Sequence, residues 1–204
     1  MAKPRLIVIT LLALATLSAC GSPASNGPAN SNTTEAVKSG GGKVEATPTA
    51  APANSNTACY NVKTGEKAVL RSQTFAIDFE PFKSSCFVTS HDPEFKDPPL
   101  ESEYAIYKDG NKVFDFPDQF NGVTVGCWVE AVAFQDVNAD NLTDILVVGK
   151  CGAKSGAYNE NMAYLNTGKA FITRDDANMK LGNLTTIKDL VGYIKEYPEA
   201  FSAK

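Results

Sequence analysis

Residues 127–151 read CWVEAVAFQDVNADNLTDILVVGKC. Two runs rich in β-branched and aromatic residues, Trp128–Gln135 and Asp144–Lys150, flank the polar loop 136–144. If the runs pair as a hairpin, the loop is centred near residue 140, and the midpoint of Cys127 and Cys151 is residue 139. The two cysteines then face each other at the open end of the hairpin, within bridging distance. Ile145 to Val148 is a continuous apolar run and predicts a central, buried strand. This stretch sets the fold class as β.

The remaining chain agrees with it. Phe75–Phe79 alternates loosely, and Cys86–Thr89 is short and β-branched. Tyr104–Tyr107 and Lys112–Phe116 flank an Asp109-Gly110 turn and predict a hairpin. The strand region ending at Phe134 starts near Val123, with Gly126 a candidate bulge. Met162–Leu165 and Ala170–Thr173 predict a second hairpin around Asn166-Thr-Gly168. The period then changes. Ile187, Leu190, Val191, Ile194 and Tyr197 fall on one face of an amphipathic helix. Thr185 or Thr186 is placed to cap it, and Pro198 marks its end. Setting Cys20 aside, four cysteines remain in residues 58–204, for which three pairings exist. The hairpin argument favours Cys127 with Cys151 and leaves Cys59 with Cys86. The expected fold is a small, mainly β domain stapled by two disulfides, a unit like one propeller blade with a C-terminal amphipathic α-helix.

Loop 136–144 places oxygen donors at alternate positions: the side chains of Asp136, Asn138, Asp140 and Asp144, with the backbone carbonyl of Leu142. Such a loop can wrap one hard cation, and Ca²⁺ wants six to eight oxygens. A divalent ion also relieves the repulsion among three carboxylates. The loop is not an EF-hand, because Val147 stands where a bidentate Glu is required. A metal-free network of Asx turns is the competing reading. The stretch Val132–Val148 resembles the FG-GAP (VCBS-type) repeat of integrin-like β-propellers. Tyr164-Leu-Asn166-Thr-Gly168-Lys-Ala-Phe171 resembles the hairpin that follows the calcium loop in that repeat. The resemblance covers residues 132–172 and implies calcium in a structural role. That family often has Gly where this chain has Ala139 and Asn141. A propeller needs about four or more blades, and one clear unit is present here.

The amino-terminal part reads as an export signal. Lys3 and Arg5 precede an apolar run, Leu6–Leu17, too short to span a bilayer comfortably. Leu17-Ser18-Ala19-Cys20 resembles a bacterial lipobox, which implies cleavage after residue 19 and a lipid on Cys20. Residues 20–57 are rich in Gly, Ser, Pro, Ala, Asn and Thr and predict a tether, too poor in apolar side chains to fold. Its 21–57 segment gives an r.m.s. reach of about 30–36 Å. The folded part is expected over residues 58–204. The lipid then places the protein on the outer membrane of a two-membrane host, or on the outer face of a single membrane. Loss of Lys3 and Arg5 moves the net charge from −4 to −6, a poor balance for binding nucleic acid.

Signals for catalysis are sparse. His91 is the only histidine and sits in the turn-like Ser90-His-Asp-Pro-Glu94, which predicts a surface loop. No GxSxG pattern accompanies it. The Gly149–Gly156 segment lacks the order of a phosphate loop. Trp128, Tyr158, Tyr164 and Phe171 are strand aromatics, expected in the core, with a binding face as the alternative. The expectation is a non-enzymatic, calcium-stabilised binding or scaffold lipoprotein of the envelope, with an envelope protein or glycan as ligand. The alternative is a periplasmic inhibitor or accessory subunit of an envelope enzyme, with a hydrolase behind both.

Overall fold

A computed structural model describes residues 56–203. The expected signal, the expected lipid site at Cys20 and the part of the expected tether before Asn56 lie outside the described residues. Helix α1 (Asn56–Cys59) opens the described chain. Strands β1 (Ala68–Val69), β2 (Phe75–Ile77), β3 (Ser85–His91), β4 (Glu103–Lys108) and β5 (Asn111–Asp115) form one antiparallel sheet. Its order is β1-β3-β4-β5, with β2 also on β3. The second sheet holds β6 (Cys127–Gln135), β7 (Asp144–Ala153), β8 (Gly156–Asn159), β9 (Met162–Asn166) and β10 (Phe171–Ile172). It is a meander, β6-β7-β9-β10, with β8 on the far end of β7. Helices α2 (Asp175–Asn178) and α3 (Ile187–Glu196) follow. The sheets close neither a barrel nor a propeller.

The strands are built as their patterns dictate. In β7, Ile145 and Val147 face one core, and Leu146 and Val148 the other. Side chains alternate across a strand, so a continuous apolar run marks burial on both faces. The first core lies between the sheets, where Phe87, Tyr104, Ile106 and Phe116 meet Ile145, Val147, Met162 and Tyr164. The Tyr104 and Tyr164 hydroxyls hydrogen-bond across it at 2.7 Å. The second core lies under α3, where Leu190, Ile194 and Phe201 cover Leu146, Val148 and Leu165. The architecture is therefore sheet, sheet, helix in three layers. Among the described residues no helix is long and apolar enough to cross a membrane.

Both expected disulfides are present, Cys59–Cys86 and Cys127–Cys151. Cys127 and Cys151 stand directly opposite in the β6–β7 register, with Cα atoms 4.0 Å apart. In the chain-entropy treatment, closing loops of 24 and 27 residues contributes about 3.5 kcal/mol each. Thr186 caps α3, its side chain accepting from the Asp189 N–H. The irregularity expected at Gly126 lies elsewhere: the β6 register shifts between Val129 and Ala131. Gly126 instead takes φ +72° just before the strand and accepts a hydrogen bond from Gly152 N–H.

Candidate functional site

The loop 136–144 joins β6 to β7, the two longest strands. Its backbone turns on Ala139 at φ 61° and Asn141 at φ 65°. These are the two positions where the resembling repeats often carry glycine, and the chain takes the left-handed shape with side chains in place. Asn tolerates that region well and Ala poorly, at about 1–2 kcal/mol.

The acidic side chains organise the turn. Asp136 Oδ1 accepts from the Ala139 and Asp140 N–H groups at 2.8 and 3.3 Å, and Oδ2 from the Asn141 N–H at 2.9 Å. Asn138 Oδ1 accepts from Asp140 N–H, and Asp140 Oδ1 from Leu142 N–H. Asn138 also donates from Nδ2 to Asp140 Oδ2 at 3.1 Å. Asp144 is fully buried. Its two oxygens accept from Val137 N–H at 3.0 Å and Asn166 N–H at 2.8 Å. Burial pushes its carboxyl up from 3.8 to about 6, against the pull of those two donors. The charges of Asp140 and Asp136 add to the rise.

Asn166 was legible only as part of the Leu-Asn-x-Gly hairpin, yet it carries much of the site. It is fully buried. It donates from Nδ2 to the Glu80 carbonyl at 2.6 Å and to the Thr143 carbonyl at 3.0 Å. Its Oδ1 accepts from Gly168 N–H. Asp144 and Asn166 thus tie the loop to the β9–β10 turn and to the segment after β2. Val137 anchors the loop in the second core, and Asn138 Nδ2 reaches the Phe201 carbonyl at 3.5 Å.

The donor set of carboxylates, an amide oxygen and a backbone carbonyl suits a hard cation. Every engaged carboxylate oxygen except Asp136 Oδ1, which already accepts twice, keeps lone-pair capacity for one. The side chains are nonetheless drawn to the loop's own N–H groups. No cluster of three or more His, Cys, Asp or Glu that could hold a metal is assembled among the described residues.

The other singled-out residues resolve as follows. His91 is corrected: it closes β3 and is 8 % exposed, not a surface-loop residue. Its sequence context hid the strand that continues through Ser90. Its Nδ1 lies 2.9 Å from the carbonyls of Asp92 and Phe95, so it holds a turn. Tyr164 and Phe171 are core, whereas Tyr158 is exposed and corrects its core placement. Trp128 is half-buried, its indole N–H donating to Glu130 at 3.0 Å. Glu101 accepts from Gly126 N–H, and Glu103 pairs with Lys67. Gly149 is dictated by packing: a Cβ there would collide with the Glu160 carbonyl and the Phe120 ring. No protein-family model, curated protein or solved structure matches the chain.

Proposed function

We propose that the protein is a membrane-anchored envelope lipoprotein whose folded part is a non-catalytic, calcium-stabilised binding or scaffold module. The observation that carries the reading is loop 136–144. Alternate oxygen donors, left-handed turns at Ala139 and Asn141, and a buried Asp144 stand between the two longest strands. Asp136, Asn138, Asp140 and Asp144, with the Leu142 carbonyl, would hold one Ca²⁺, water completing the shell. The role is structural, since the ion would neutralise carboxylates at the junction of β6 and β7. Ligation to the native state alone stabilises by about 2.7 kcal/mol at a hundredfold excess over Kd.

The test is thermal melting in calcium and in chelator, with calorimetry, on wild type and Asp140→Ala. A calcium-dependent rise that the variant largely loses supports the reading. Equal melting in both buffers with no calcium heat overturns it. The anchor is tested by mass: the mature chain from Cys20 should carry a diacylglyceryl group, with or without a further acyl chain. Placement on the outer membrane of a two-membrane host follows from the same reading.

One feature favours the alternative of an inhibitor or accessory subunit. The β7–β8 hairpin exposes every residue from Gly152 to Tyr158, with Cys127–Cys151 at its base. Association with an isolated envelope enzyme that is abolished by Tyr158→Ala would favour that role over the scaffold.

A further inference from the structure

An open cleft of about 460 Å³ lies where the described chain begins. Its lining residues all fall between Tyr60 and Arg71, and α1 runs directly into it. Three of them, Lys63, Lys67 and Arg71, are cationic and none is acidic, on a chain whose net charge is −4. Lys67 is matched: its Nζ lies 3.0 Å from Glu103 Oε2 and donates to the Glu101 carbonyl at 2.8 Å. Lys63 and Arg71 have no ion-pair partner among the described residues. The Arg71 guanidinium sits over the Tyr60 ring, 5.7 Å from its centroid. Arg in that setting keeps its donor fork for an oxyanion. Glu66, the carboxylate nearest in sequence, does not line the cleft.

We propose that this cleft docks the phosphate headgroup of an anionic phospholipid, so that the folded domain presents residues 60–71 to the membrane. The proposal rests on the lipid-anchor reading for its geometry. Two charge considerations and one of chain length select this occupant. Two unmatched cations on one face attract a dense anionic surface locally, within about a Debye length (~10 Å at 0.1 M), although the net charge of the chain is negative. Their number is too small for tight capture of a free ion. Only 35 residues, 21–55, separate Cys20 from Asn56, where the described chain begins beside the cleft. A link of that length to a lipid on Cys20 would raise the effective concentration to about the millimolar range, where a weak site is occupied.

The experiment uses the mature chain from residue 20 carrying Cys20→Ser, so that no lipid contributes. Co-sedimentation is measured with phosphatidylglycerol and with phosphatidylcholine vesicles at millimolar lipid, the range the anchor would supply, and at low ionic strength. Each cation near an anionic bilayer changes affinity about fivefold, so Lys63→Gln with Arg71→Gln should weaken binding about thirtyfold. Both residues are exposed, and an unchanged melting temperature confirms the fold of the variant. Wild-type binding should also fall steeply with added salt, a readout that needs no variant. Failure to bind phosphatidylglycerol vesicles overturns the proposal. Equal binding to both vesicles, or no effect of either the double substitution or salt, does the same. Binding of inorganic phosphate without vesicle binding identifies a free-anion site and also overturns it. An unmodified Cys20 in native protein would remove the anchor reading and leave the vesicle result standing.

Discussion

Replacing Asp144 by Asn probes the charge that the fold buries behind the acidic loop. In the folded protein the Asp144 carboxyl is pushed from 3.8 up to about 6, chiefly by burial. A shift of roughly two units corresponds to about 3 kcal/mol, at about 1.36 kcal/mol per unit. The native state binds this proton more tightly than the unfolded chain. Between about pH 4 and 6 it therefore holds more protons, and stability falls as pH rises. The contribution is fully present below the unfolded pKa and is lost as pH rises through the folded one. Other carboxylates titrate in the same window, so wild type minus Asp144→Asn is the quantity to follow. The amide also turns an N–H₂ toward either Val137 or Asn166 N–H. That costs about 1–3 kcal/mol at every pH, and shifts the difference curve without tilting it. The assay is urea unfolding of both proteins in chelator, in steps from about pH 4 to about pH 7. The difference should change by about 3 kcal/mol across that range, in the sense that wild type loses stability relative to the variant as pH rises. A flat difference curve would refute the account of Asp144 as a desolvated carboxylate. In saturating calcium the proposed ion keeps the carboxylate ionised, and the tilt should shrink.

Four other outcomes are expected. Non-reduced peptide mapping should recover Cys59–Cys86 and Cys127–Cys151, and removing the second pair as a double Ser variant should cost about 2–5 kcal/mol in denaturant unfolding. Gly149→Ala should lose about 1–3 kcal/mol, because the added Cβ would lie 2.7 Å from the Phe120 ring and against a backbone carbonyl. By contrast, Gly192→Ala should gain about 1 kcal/mol, because nothing lies within 4 Å of a Cβ there. Burial raises the phenols of Tyr104 and Tyr164, so the unfolded chain releases these protons first. Stability should then fall as pH rises past about 10, and an absorbance titration should show these two of the seven tyrosines ionising only with unfolding.

Much of this was legible in the sequence because the informative residues act locally. The run Ile145–Val148 declares a strand buried on both faces. The placement of Cys127 and Cys151 about the loop gives a register, and one pairing then leaves the other. Asp109-Gly110 sits at left-handed φ in its hairpin, as its composition demands. Thr186 and Pro198 bracket α3 within a residue or two of the expected ends. What was not legible depends on contacts distant in the chain. Nothing near His91 announces that β3 extends to pair with β1. Asn166 looks like an ordinary turn residue until the carbonyl of Glu80, 86 residues away, is brought to it. The division into two sheets likewise follows from which aromatic faces meet, and a period-2 pattern is silent on that.

The hydrogen bonding of the loop bears on how a cation there would act. Asp136, Asn138, Asp140 and Asp144 already satisfy the N–H groups of Val137, Ala139, Asp140, Asn141 and Leu142. A turn whose donors are paired without an ion does not need one in order to close. The cost that remains is electrostatic: three carboxylates share the loop, and the buried one is also desolvated. A divalent ion would remove that cost rather than build the turn. The effect would pass through Asp144 to the Asn166 N–H, and through Asn166 Nδ2 to the Glu80 carbonyl. It would thus bear on both sheets from one point. The physical expectation is a protein that folds in chelator and melts higher in calcium, with m unchanged because the same surface is buried in both states. A chain unfolded in chelator would instead place the energy of the turn in the metal, contrary to the five N–H groups already paired.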